Sequence, residues 1–213
     1  MPFLVESDVR ARARARANRQ GKTVDGALRA EARKERDRYD VFLSQTIHDR
    51  EIVFGVYTIL TEDLKLTVFC DWIEAPEADR SRVTPENARY VRDRMGRSAT
   101  LLFVDSSSAD QSKWMCWELG WFDGAKGKVG ILPVLKNAND PYRGREFLGL
   151  YPAVEVDGVH KLMVKMPEDE IRRRMRPGQV MGLATRIPLS AWTGLPSDLW
   201  PSSPMAYRTG RIL

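Results

Sequence analysis

The chain has 213 residues, 43% hydrophobic and 30% charged, with a net charge of +5. That is enough sequence for one domain with extensions or two small domains, and it contains no apolar run of 18 residues of the kind that spans a bilayer. Two cysteines, Cys70 and Cys116, and two histidines, His48 and His160, lack metal-ligand spacing, so a His/Cys zinc site is not expected.

The charge is uneven. Before Tyr39 there are eleven Lys/Arg against six Asp/Glu, an excess equal to that of the whole chain. The remainder is near neutral, whereas a nucleic-acid-binding core carries its own basic patch. Residues 1–38 read as a basic helical arm rich in Ala, Arg and Glu, broken into two short helices at Gly21 and Gly26. Arg10, Arg12, Arg14 and Arg16 recur at every second position, which spreads them round a helix. A solvated arm or docking segment is the plain reading, and binding to nucleic acid or an acidic surface the alternative. Gly21-Lys22-Thr23 resembles the end of a P-loop, but the required earlier glycine is Arg16 and no strand precedes it.

Tyr39–Ser44 reads as a first strand. Residues 48–60 carry apolar positions at Ile52, Val56, Ile59 and Leu60, the spacing of a helix. Residues 66–70 (LTVFC) predict a second strand, closed by Asp71 and Trp72. A loop then runs to Thr84, placed to cap a helix with Pro85 at its first position. Residues 100–104 (TLLFV) predict a third strand, followed by a polar loop from Asp105.

Residues 112–122 (SKWMCWELGWF) predict a helix capped by Ser112. Trp114, Glu118 and Trp121 fall on one side, Met115, Leu119 and Phe122 beside them, Cys116 and Gly120 on the far flank. A helix apolar nearly all round is expected to be buried or to lie in an assembly interface. A carboxylate there is paired, neutral or working. Residues 129–134 (VGILPV) and 153–156 predict the fourth and fifth strands. Residues 158–213 read as an extension packing on the domain in irregular form. Residues 168–176 read as a basic helical piece, and both thiols are expected to be buried in a reducing cytoplasm.

This alternation predicts an α/β fold with a central parallel five-stranded sheet covered by helices on both faces. Ligands bind such sheets outside the carboxyl ends of the strands. Those ends hold Ser44, Gln45 and Thr46, then Asp71 and Trp72, then Asp105 and Ser106, with Glu118 in reach.

Five pieces occur in one order: YDVFLSQTIHDRE, LTVFCDW, SATLLFVDSSSADQSKWMCWELGW, VGILPV and YRGREFLGLYPAVEV. As a set they resemble Toll/interleukin-1 receptor (TIR) domains over residues 39–157. Met115 departs from the pattern, since it separates a tryptophan and cysteine that are adjacent in many members. The four-residue step from Trp114 to Glu118 is kept.

The resemblance implies a flavodoxin-like domain of the standalone bacterial type. It implies cleavage of the nicotinamide–ribose bond of NAD, with Glu118 catalytic. Ser44, Gln45, Asp71, Trp72, Asp105 and Trp114 would bind substrate. NAD is then a substrate, with no separate cofactor and no metal. The product would be ADP-ribose or a cyclic ADP-ribose signal, and the setting cytoplasmic anti-phage defence. Expected partners are further copies through TIR–TIR contacts and a receptor for a nucleotide signal; membranes and nucleic acid are not expected. The alternative is a non-enzymatic scaffold working by homotypic assembly.

Overall fold

The computed structural model describes residues 3–31, 36–46, 48–70, 84–109, 112–142, 144–158, 161–166 and 186–196. Five parallel strands form the centre of one sheet: β2 (Tyr39–Ser44), β3 (Val68–Phe69), β4 (Ser98–Asp105), β5 (Val129–Leu135) and β6 (Ala153–Asp157). Their spatial order is β3-β2-β4-β5-β6, all in parallel register. The expected α/β fold and parallel five-stranded centre are therefore present.

The sheet is wider than the sequence implies. A short β1 (Leu4–Val5) pairs with the far end of β5, while β7 (Lys161–Lys165) and β8 (Arg186–Pro188) add antiparallel strands beyond β6. Two- to five-residue strands carry too little periodicity to be read from pattern.

Alternation along the strands divides the core. Val41, Leu43, Leu102, Val104, Leu132 and Val134 face one layer. Phe42, Leu101, Phe103, Val129 and Ile131 face the other. Successive strand side chains point to opposite faces, so continuous apolar runs fill both. The first layer holds α1 (Glu6–Arg19), α2 (Val24–Glu31), α3 (Arg50–Thr58) and α6 (Leu189–Gly194); the second holds α4 (Pro85–Arg97) and α5 (Lys113–Lys126). Helix α4 starts as expected, with the Thr84 side chain accepting from Asn87 N at 3.2 Å. No helix among the described residues is long and apolar enough to cross a membrane.

The segment expected as a solvated arm is packed into the first layer. Val9, Ala13, Ala17, Ala27 and Leu28 are buried there. Small residues let α1 lie very close to α3: a Cβ on Gly55 would stand 2.1 Å from Val9 O. Gly26 lies inside α2 rather than breaking it; the break is at residues 20–23, where Gly21 has φ +61°. The arginines are not a free basic stripe. Arg10 meets Asp49, Arg12 meets Asp63, Arg14 meets Glu51, Arg16 meets Glu31 and Arg19 meets Glu62. Buried Arg16 also donates to Thr61 Oγ1 at 3.1 Å and stacks its guanidinium over Phe54 and Tyr57. The reason was hidden in the sequence: the acids that neutralise the arm lie mostly on α3 and the π-helical turn Ile59–Asp63 after it.

At the other end, Trp192 of α6 is fully buried in the first layer, against Gly130 of β5. Lys128 anchors the same helix by donating to Thr193 O at 2.9 Å and to Leu195 O. Residues 168–176 and the tail from 197 lie outside the described residues.

Candidate active site

Ser44 is the last residue of β2, and Gln45 and Thr46 continue beyond it, all three buried. Helix α5 crosses the second layer beneath this strand end. Its buried face is Met115, Glu118, Leu119 and Phe122, positions that recur at helical spacing. Three of these are apolar and fix the helix on the sheet; the fourth places a carboxylate in the interior. Glu118 is 1% exposed. Ser44 Oγ donates to Glu118 Oε2 at 2.6 Å, a short hydrogen bond between two buried groups.

Of the two settings expected for α5, full burial is not what the structure shows: Cys116, Trp117 and Gly120 are exposed, because they lie opposite the face that meets the sheet. Cys116 is therefore an exposed thiol, whereas Cys70 is buried as expected. Ser112 occupies the N-cap position but its side chain makes no capping bond. The helix ends at Gly127, which takes the left-handed conformation (φ +62°) usual for a terminating glycine.

Trp114 is half-buried one turn before Glu118, edge-on to Trp117 with ring centroids 5.3 Å apart. Asp105, at the end of β4, is buried and engaged elsewhere. Tyr142 donates its hydroxyl to Asp105 Oδ2 at 3.0 Å, and Arg145 pairs with Asp105 Oδ1 and donates to Ser106 O at 3.2 Å. Burial, reinforced by the Asp105 charge, holds the Tyr142 phenol protonated well above its ordinary pKa, so it remains a donor. Asp105 thus anchors Tyr142 and Arg145. Sequence reading missed both partners; the signal was a Tyr-Arg-Gly-Arg run facing an aspartate that had to be buried and paired.

Ser44 and Glu118 are thus brought together, Gln45 follows directly in the chain, Trp114 lies one helical turn away, and Asp105 belongs to a neighbouring network. Asp71 and Trp72 lie outside the described residues.

No family model matches the chain. The sequence is 48% identical over 117 residues to a probable 3′ cyclic ADP-D-ribose synthase, ThsB′, of Bacillus cereus (strain MSX-D12). The match takes in 54% of this chain and 60% of that protein, so the chain spans about three fifths of its relative's length. Among solved structures, the TIR domain of the Toll-related receptor TRR-2 from Hydra magnipapillata is similar at 22% identity and a TM-score of 0.36, over 52% of this chain and 78% of that one. The TIR resemblance read from the five sequence motifs is borne out, and the Ser44–Glu118 pair sits in two of those motifs.

Proposed function

We propose that the chain cleaves NAD at the bond between nicotinamide and ribose, with Glu118 as the catalytic carboxylate. The supporting observation is the buried Glu118, held by Ser44 at the carboxyl edge of the sheet. A single acid suffices for this bond. Ordinary glycosidases need a second group to protonate the leaving oxygen. In NAD the leaving group is already a pyridinium. The C–N bond breaks, its electron pair goes to the ring, and neutral nicotinamide departs. The ribose left behind carries oxocarbenium-like positive charge, which an adjacent carboxylate in a dry site stabilises.

Trp114 is assigned to stacking on a flat ring of the substrate, and Gln45 to the ribose hydroxyls. Asp71 and Trp72 are assigned to the same substrate from their place after β3. Asp105 acts on the substrate only through Tyr142 and Arg145, which it anchors. The acceptor decides the product. Water yields ADP-ribose, with one water proton released. A hydroxyl of the adenosine-side ribose yields a cyclic product: its oxygen bonds the cationic carbon and its proton leaves to Glu118 or solvent. The relative's name favours the cyclic outcome, and a nucleotide signal with its own receptor then follows.

The setting is proposed as cytoplasmic anti-phage defence, as the TIR resemblance implies. Incubating the purified full chain with NAD and separating nicotinamide, ADP-ribose and cyclic products tests this reading. Nicotinamide release in step with a cyclic product supports it; intact NAD at high protein concentration favours the scaffold alternative.

A further inference from the structure

A cavity whose lining does not include Glu118 lies beside Tyr142, the residue bonded to Asp105. It occupies about 210 Å³ between Tyr142, the 144–151 segment, Phe3 and strands β5 to β7. That is well above the roughly 30 Å³ share of one water, so it suits a small molecule. Its lining is unusual for a gap in packing. Phe3, Tyr142 and Tyr151 supply aromatic rings and Met166 an adaptable apolar surface, while Glu155 and Lys165 supply opposite charges.

The rings are held in place. Phe3 and Tyr142 meet edge to face at 5.2 Å. Tyr142 is tied by its hydroxyl to Asp105, and Tyr151 to Asp123 Oδ2 at 3.1 Å. Burial keeps both phenols protonated, so these ties hold across the physiological range. The rim is built with backbone effort. A Cβ on Gly144 (φ +74°) would stand 2.6 Å from Gly149 N, and Glu146 holds a positive φ of 46°. A non-glycine residue in that region costs about 1–3 kcal/mol and persists where surrounding structure demands it.

The charged pair has bonding capacity left. Glu155 is 3% exposed. Arg186 Nη2 lies 2.7 Å from its Oε2, but among the described residues no hydrogen bond of acceptable geometry reaches that buried oxygen. Lys165 Nζ stands 3.7 Å from Oε1, outside hydrogen-bond range, with a third of its side chain exposed. A carboxylate accepts and an ammonium donates. Side by side among aromatic rings, they match a flat ring whose edge carries a donor beside an acceptor.

We propose that this cavity is a second ligand site, separate from the Glu118 centre, for a small heteroaromatic amide or nucleobase whose edge presents a hydrogen-bond donor next to an acceptor. The donor meets Glu155, the acceptor meets Lys165, and the ring lies among Tyr142, Tyr151 and Phe3. Nicotinamide, adenine and guanine share this chemistry and distinguish its sources.

The test is ligand-observed NMR with the full chain carrying Glu118→Gln, each ring as probe up to millimolar concentration. Binding is read directly, so its outcome stands apart from whether NAD is cleaved. At least one probe is expected to bind, with affinity falling roughly tenfold or more in Lys165→Met and in Glu155→Gln, and unchanged in Trp114→Ala. Lys165 is partly exposed, so its variant remains informative if Glu155→Gln fails to fold. Absence of binding by all three probes would overturn the proposal. So would binding that ignores Lys165→Met or is lost with Trp114→Ala.

Discussion

Ser44 Oγ donates to Glu118 Oε2 at 2.6 Å, joining the last residue of β2 to the middle of α5. The bond fixes one carboxylate oxygen and so aims the other. A hydroxyl spent in this way is a positioning group, a different role from the substrate contact expected from its place at a strand end. Ser44→Ala leaves the buried oxygen short of a donor, at a cost of about 1–3 kcal/mol. NAD turnover is expected to lose kcat with little change in KM. A raised KM with intact kcat would instead make Ser44 a substrate contact.

Helix α1 touches α3 through the bare backbone at Gly55, with Val9 O in the space a methyl would take. Backbone cannot swing aside as a side chain can. Gly55→Ala is expected to destabilise the chain by about 1–3 kcal/mol or more, read as a lower Tm. Deleting residues 1–38 is expected to give insoluble or unfolded protein, since it strips apolar surface from α3. An unchanged Tm in Gly55→Ala would show that α1 is only loosely attached.

Lys128 is buried beneath α6, and burial pushes its ammonium down to about 8. The unfolded chain keeps that proton until about 10.5. Between those values the unfolded state binds more protons, so the site's contribution to stability rises with pH and is lost as pH falls through 8. Lys128→Met is expected to remove that rise, measured by urea unfolding of both proteins at about pH 7.5 and 9.5. Parallel behaviour of the two would show that the lysine carries its charge equally in both states.

Trp117 is 36% exposed on the helix that holds Glu118, edge-on to half-buried Trp114. A second copy is the proposed cover, as the TIR resemblance implies. Specific activity is expected to rise with protein concentration, and Trp117→Ser to demand a higher concentration for the same rate. Tryptophans at interface centres contribute about 2 kcal/mol or more. Constant specific activity across a hundredfold dilution of monomer would contradict it.

The five parallel strands were legible because each is an apolar run bounded by turn residues, and Glu118 because a lone acid broke an aromatic pattern. The role of the N-terminal helices was not. Val9, Ala13 and Ala17 repeat at helical spacing, but alanine and arginine mask the stripe, and the matching surface of α3 is remote in sequence. Strands β7 and β8 were missed since three to five residues hold too little pattern. The Asp105–Tyr142–Arg145 network escaped notice because its members are about forty residues apart.

The central claim is that Glu118 performs the chemistry. Its most direct measurement is nicotinamide release from NAD by the full chain and by Glu118→Gln, with circular dichroism on the same samples. The glutamine keeps the shape and a bond to Ser44 while removing the negative charge. Release is expected to fall by about a hundred- to a thousandfold or more, with the folded spectrum intact. Near-normal release from a folded Glu118→Gln protein would contradict the assignment.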